Sequence, residues 1–245
     1  MQLIGLALLG FIVWFGFKDR GNEQAMSAFD THALIMVVVG SSAAVLISSR
    51  GRDALRTLLY LRELVPGLRR YGNTNAAMEA ERTELHGLWA QGKRREALTL
   101  AERTDFPAIK QMSELLVSRA HEAEASKTFL ELRHAEIAEL QPTINNWEML
   151  SKLGPAFGMV GTITGMIRLF QNMSADNLNI GAAMSLALLA TLYGVAFGAG
   201  VAGPIAHHLN ALLDERLGFL ERCEKSTSEA AARAAGVGRN DVRVG

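Results

Sequence analysis

The side chains that could do chemistry are few, and their spacing argues against catalysis. The six histidines are scattered through the polar stretches or stand at the ends of apolar ones. His207 and His208 are adjacent, and neighbours on a helix point about 100° apart, so the pair would chelate one metal poorly and suits interfacial anchoring instead. Cys223 is the one cysteine, which excludes an intrachain disulfide, a Cys-based zinc site and an iron–sulfur cluster. Gly154, Gly158, Gly161 and Gly165 are dense enough for a phosphate loop but lie inside an apolar run rather than after a strand. No enzymatic constellation is left, so neither an enzyme nor a resident cofactor or metal is expected. What remains is hydroxyl chemistry in apolar surroundings: Thr162, Thr164, Ser185 and Thr191.

The elements that carry these residues are apolar helices. Of the 245 residues, 49% are hydrophobic and 20% charged, too apolar for an ordinary soluble chain unless the apolar residues cluster. They do cluster, in Leu3 to Phe17, Ala33 to Ser48, Met149 to Phe170 and Ile180 to Ala206. A bilayer core takes roughly 17 to 25 helical residues, so four spans are expected, the first two at the short end. A cleaved signal peptide fits the first run less well, since it lacks a basic leader and a small-residue cleavage site. Buried core helices of a soluble protein are the other competing reading. Lys+Arg and Asp+Glu both number 25, and without a basic surplus no nucleic-acid partner is expected.

Basic residues set the direction. The stretch from Arg50 to Glu148 holds 15 Lys and Arg and the tail from His207 holds six, against two between the first two runs and none from Gln171 to Asn179. The basic side faces the cytoplasm, so both termini and the insert between spans two and three are expected inside. The insert reads as helical. Leu55, Leu58, Leu59, Leu61 and Leu64 form a stripe that Pro66-Gly67 interrupts; a helix capped at Asn73 or Thr74 runs to Trp89; Gly92 breaks it. The helix resumes over Lys93 to Arg103, and Thr104 to Pro107 restarts the chain. One long helix is then expected from Ala108 to about Leu140, with Met112, Leu115, Leu116, Phe129, Leu132, Ile137 and Leu140 inward. The insert should continue both flanking spans beyond the membrane, and the end of the tail should be frayed. The organisation is therefore spans one and two over 1–49, a cytoplasmic helical domain over 50–148, spans three and four over 149–206, and a C-terminal helix and tail over 207–245.

Within the spans, Gly154-xxx-Gly158, Gly161-xxx-Gly165 and Gly194-xxx-Gly198 let helix backbones approach closely. Ion translocators normally hold an Asp, Glu or His near mid-membrane, and these spans carry none. Lys152 and Arg168 stand toward the ends of span three, where they can snorkel, Arg168 having a part in an ion path as its other reading. Membrane threonines commonly bond back to their own helix. If such units conduct, the carboxylate must come from another chain.

The stretches Gly154-Pro-Ala-Phe-Gly-Met-Val-Gly-Thr-Ile-Thr-Gly165, Ala187-Leu-Leu-Ala-Thr-Leu-Tyr-Gly194 and Gly203-Pro-Ile-Ala206 resemble the A-subunits of flagellar stators, MotA and PomA, and more distantly ExbB and TolQ. The resemblance is dense over Leu150 to Leu213 and rests on layout elsewhere. It implies a homopentameric ring in a bacterial inner membrane around two copies of a single-span, MotB-like B-subunit, whose membrane aspartate carries the proton or sodium ion. Ion flow would turn the ring. Two spans before the insert resemble the flagellar branch. Pro155 and Pro204 match the family's coupling prolines, where a missing backbone bond creates a bend point. Thr162 and Thr191 match the hydroxyls lining the ion path, and Ala190 stands where the sodium-type pattern often has a further threonine.

One stretch departs from that pattern. A basic pair and a later acid that meet the cytoplasmic rotor protein in flagellar A-subunits fall here on Gln91, Gly92 and Thr99. Lys93, Arg94, Arg95 and Glu96 could substitute as the contact to a rotor or other load, or could form a solvated helix face. The expected whole is an all-α, four-span ring subunit of an ion-driven rotary motor. Its rivals are an ExbB/TolQ-like, gliding or defence-system motor, and a non-rotating scaffold or channel.

Overall fold

The computed structural model describes residues 31–60, 72–118, 122–172 and 180–241, and every element in them is helical. The expected first span lies outside the described residues, as does the loop between the third and fourth. The chain divides into two compact units, one comprising residues 1–68 and 141–209 and the other 69–140 and 210–245. Three described helices are long and apolar enough to cross a membrane: Thr31–Ser48, and stretches within Ala123–Gln171 and Ala187–Ala232.

The first unit begins with α1 (Thr31–Ser48) and α2 (Gly51–Leu59). The break between them is a local polar event. Ser49 Oγ donates to Asn146 Oδ1 at 2.6 Å, while the Arg50 carbonyl accepts the first bonds of α2 from the amides of Asp53 and Ala54. The insert therefore does not extend the Ala33–Ser48 span as one helix, contrary to expectation. On the other side it does: α6 runs unbroken over Glu122–Asn172 with Pro142 and Pro155 inside it. In α6 the residues from Gln141 onward belong to the first unit. α7 (Ile180–Phe197) leads into a π-helical stretch, Gly198–Ala202, and then α8 (Gly203–Asp241).

The second unit contains α3 (Gly72–Ala90), α4 (Arg94–Arg103) and α5 (Pro107–Ser118) with the start of α6 and the remainder of α8. Gly92 makes the expected break, at a φ of 76° that suits glycine alone. Pro107 opens α5 at the first helical position, where its missing N–H costs nothing. The expected helix from Ala108 to Leu140 is described as α5 up to Ser118 and as α6 from Glu122, and residues 119–121 lie outside the described residues. Both described pieces pack on one core. Leu85, Ile109, Met112, Leu116, Phe129, Phe219, Leu220 and Cys223 are all buried there, and a fully buried Phe129 contributes about 1.5–3 kcal/mol.

The tail is helical as far as it is described, since α8 continues to Asp241, while residues 242–245 of the end expected to fray lie outside the described residues. Phe219, Leu220, Cys223 and Thr227 on α8 are buried, and its charges are paired: Arg133 with Glu224, Arg216 with Glu136 at 2.6 Å, and Arg222 with Glu79 at 3.3 Å. Arg82 bonds Glu79 at 2.7 Å and Ser226 Oγ at 2.9 Å. The Arg82 guanidinium holds the Glu79 carboxyl below the ordinary carboxylate range against the opposing effect of burial, with Arg222 adding attraction.

Candidate functional site

In the first unit α6 and α7 approach closely enough that glycine is required at several contacts. A Cβ on Gly154 would lie 2.8 Å from the Gly194 carbonyl oxygen and 2.9 Å from the Gly198 Cα. One on Gly194 would lie 2.6 Å from the Gly154 carbonyl oxygen, and one on Gly158 would lie 3.0 Å from that of Ala190. Gly161 faces the methyl of Ala190, with Met36 of α1 beside it, and Gly165 is buried. The small residues read from the sequence as a packing device are thus interleaved, Gly154 and Gly158 of one helix against Gly194 and Gly198 of the other. α1 completes the arrangement with Ala33, which packs with Leu189, Ala190 and Tyr193. Ala190 is fully buried.

This approach brings together two hydroxyls that are 29 residues apart in sequence. Thr162 Oγ1 and Thr191 Oγ1 are in hydrogen-bond contact, and both are half-buried. Thr162 also reaches the carbonyls of Gly158 at 3.1 Å and Ala187 at 3.2 Å, and Thr191 reaches Ala187 at 3.3 Å. Back-bonding and pairing therefore coexist. A hydroxyl has one proton and two lone pairs, so two paired hydroxyls that donate to each other or to a carbonyl still keep lone pairs for a proton donor or a cation. Thr164 bonds only to its own helix, at Val160, while Ser185 is buried. Lys152 and Arg168 are both exposed.

The two prolines act on the same packed region. Pro155 has no N–H for the Ser151 carbonyl, and Gly198 of the π-helical stretch fills the space beside both. A Cβ there would lie 2.5 Å from Pro155 Cδ and 2.7 Å from Ser151 O. Pro204 follows at the second position of α8, where its ring would crowd the carbonyl four residues earlier in a regular helix. The chain widens to π geometry before it, and the Gly203 amide donates to the Gly198 carbonyl, five residues back. From the sequence Pro204 is expected as a bend point, and the structure sets it directly after π-helical geometry. The π-helical stretch itself escapes that reading, and an unbroken small-residue run before a proline, Gly198-Ala-Gly-Val-Ala-Gly203, is the signal that could have suggested it.

Two further features escaped the sequence reading. Asn146 is buried and donates through Nδ2 to Thr57 Oγ1 at 2.8 Å, besides accepting from Ser49, so it ties both sides of the α1–α2 break to α6. Pro142 lies inside α6 as well. The charged corner at Lys93, Arg94, Arg95 and Glu96 is exposed throughout. There Lys93 and Glu96 are 3.5 Å apart, and the Arg94 guanidinium stands over the Trp89 ring at 5.5 Å. This corner belongs to the second unit and the threonine pair to the first.

The model of the MotA/TolQ/ExbB proton channel family matches residues 102–222, which contain the threonine pair, both prolines and the interleaved glycines. Residues 102–222 are thus similar to that family. Motility protein A of Aquifex aeolicus is 37% identical over 89 residues, 36% of this chain and 35% of that protein. PomA of Vibrio alginolyticus is 43% identical over 63 residues, 26% of this chain and 24% of that protein. The chain thus spans about a third or less of the length of these curated relatives. The flagellar MotAB stator complex of Bacillus subtilis has a chain of the same fold, with a TM-score of 0.76 at 21% identity over 94% of this chain and 89% of that one. These matches bear out the resemblance drawn from the three glycine- and proline-bearing stretches. Family and apolar helices together make this a membrane protein.

Proposed function

We propose that the chain is the ring-forming A-subunit of an ion-driven rotary motor in a bacterial inner membrane. Five copies surround two copies of a single-span, MotB-like partner whose membrane aspartate carries the proton or sodium ion. The observation that carries this reading is the Thr162–Thr191 hydroxyl pair, set between glycine-packed apolar stretches, 149–170 and 180–206, that carry no carboxylate of their own. A protonated aspartate or a bound sodium ion beside the pair would be satisfied by the remaining lone pairs. Pro155 and Pro204 provide the bend points through which rotation is transmitted. In this reading residues 1–49 and 149–206 are membranous, and the stretches 50–148 and 207–245 with both termini are cytoplasmic. The names of the relatives support the motor, since stator complexes pair this fold with a second subunit.

The corner Lys93 to Glu96 is the contact to the load. Its departure from the flagellar pattern favours, as a second reading, a motor of the same construction that drives a machine other than the flagellar rotor. The test is purification of the tagged full chain from its native membranes. A complex with a single-span protein in a ratio of five to two is expected, together with ion uptake by vesicles that is lost when the partner's membrane aspartate becomes asparagine. A monomer or dimer without such a partner would overturn the motor and leave a scaffold.

A further inference from the structure

α2 begins two residues after α1 ends, and its residues separate into two faces. Asp53, Thr57 and Tyr60 form the inner one: Thr57 and Tyr60 are buried, and the Asn146 bond to Thr57 fixes the helix's rotation about its axis. Arg52, Leu55, Arg56 and Leu59, spaced as one helical stripe, form the other. Leu55 is 65% exposed and Leu59 60%. Arg50 and Arg52 are exposed and Arg56 half-buried, and among the described residues none of the three is in a salt bridge with an acid. Two leucines held outward between arginines are unfavourable in water, whereas leucine at the acyl boundary with arginine among headgroups is the pattern of a helix lying in a membrane surface. α1 itself ends with Leu46 and Ile47 exposed at 62% and 88%. Three Cα steps from Ser48 to Gly51 reach no more than about 11 Å, so the start of α2 is held beside the headgroup layer that borders the end of α1.

We infer that α2 is an interfacial helix that binds anionic lipid. Leu55 and Leu59 enter the acyl boundary, while Arg50, Arg52 and Arg56 engage the phosphates of the leaflet on that side. The inference rests on α1 crossing the membrane. The charge of the stripe favours lipid as its occupant over a second copy of the chain, which would have to present an acidic patch to it.

The experiment uses the full chain carrying Cys223→Ser, labelled with a fluorophore at Leu55→Cys, Leu59→Cys or Ile47→Cys and reconstituted in mixed phosphatidylglycerol and phosphatidylcholine vesicles. One lipid at a time is brominated as a quencher, and iodide is the aqueous quencher. At 55 and 59 the brominated lipids should quench, with phosphatidylglycerol favoured over phosphatidylcholine by about thirtyfold or more given two or three basic residues at the surface. Arg52→Gln with Arg56→Gln should bring that ratio close to one while quenching at 47 stays unchanged. Quenching at 55 and 59 by iodide alone would place α2 in water and overturn the inference, as would protection from all quenchers, which means coverage by protein. Equal quenching by the two lipids would overturn the anionic preference. If the label at 47 also escapes both lipids, α1 does not span, and the membrane reading itself falls.

Discussion

Replacing Gly194 with alanine tests whether the contact between α6 and α7 is as close as the structure makes it. The new methyl would lie 2.6 Å from the Gly154 carbonyl oxygen and 2.9 Å from the Gly158 Cα. The first is about 0.8 Å inside ordinary van der Waals contact. Both obstructing atoms are backbone, so no side chain can swing aside and the helices must part. Overpacking of this kind costs about 1–3 kcal/mol, and the upper end applies because two backbone segments are struck at once. Against it stands a gain of about 1 kcal/mol from replacing glycine by alanine in a helix. The net expectation is a destabilisation of about 2 kcal/mol, together with movement of Thr191 away from Thr162, since Thr191 lies one turn earlier on the same helix. Gly87 in α3 is the internal control: a Cβ there meets nothing within 4 Å, so Gly87→Ala should be neutral or stabilising by up to about 1 kcal/mol. Thermal unfolding of the two variants in one detergent, followed by circular dichroism, should separate them by several degrees. If Gly194→Ala unfolds at or above the midpoint of Gly87→Ala, the close approach is not a constraint and the glycine argument fails.

Three further outcomes are expected. Thr191→Ala should lower ion-driven output and leave assembly intact, at a cost of about 1–3 kcal/mol for a less well satisfied ion or proton donor, whereas Thr191→Ser should retain most output; unchanged rotation across a range of sodium concentration and pH would return both threonines to back-bonding alone. Pro204→Leu should restore a regular helix in place of the π-helical stretch and suppress output while the complex still co-purifies, and loss of the complex along with output would assign the proline to packing. Because Arg82 and Arg222 hold the Glu79 carboxyl below its ordinary value of 4.5, the stability it contributes is present above that pH and is lost as pH falls through the lower folded-state value. Glu79→Gln should therefore flatten the acid limb of a stability-versus-pH curve, modestly because the pair is partly exposed, and an unchanged limb would show that the pairing is not maintained.

Much of this architecture is carried by local pattern. The apolar run that becomes α1, the break at Gly92, the restart at Pro107 and the glycine spacing in α6 and α7 each depend on residues close in sequence, whose turn preferences and periodicity act before any tertiary contact forms. The family resemblance was legible for the same reason, since its motifs are contiguous. Pattern failed where a distant partner decides the outcome. The break after Ser48 depends on Asn146, nearly a hundred residues away, competing for Ser49 and Thr57. The tail reads as alanine-rich and weakly amphipathic, and it is helical because Phe219, Leu220 and Cys223 bury against α3, α5 and α6 while its charges find Glu79, Arg133 and Glu136.

For the candidate site, the sequence by itself determined which residue types were available: hydroxyls without carboxylates, small residues at helical spacing, and two prolines. Only the tertiary structure decided that Thr162 and Thr191 meet, because that contact exists only where Gly154, Gly158, Gly194 and Gly198 let two backbones come within a distance no larger residue would allow. It likewise decided that Pro204 is accommodated by π-helical geometry, which arises where a ring that cannot donate a hydrogen bond follows a run of residues small enough to let the helix widen against Pro155.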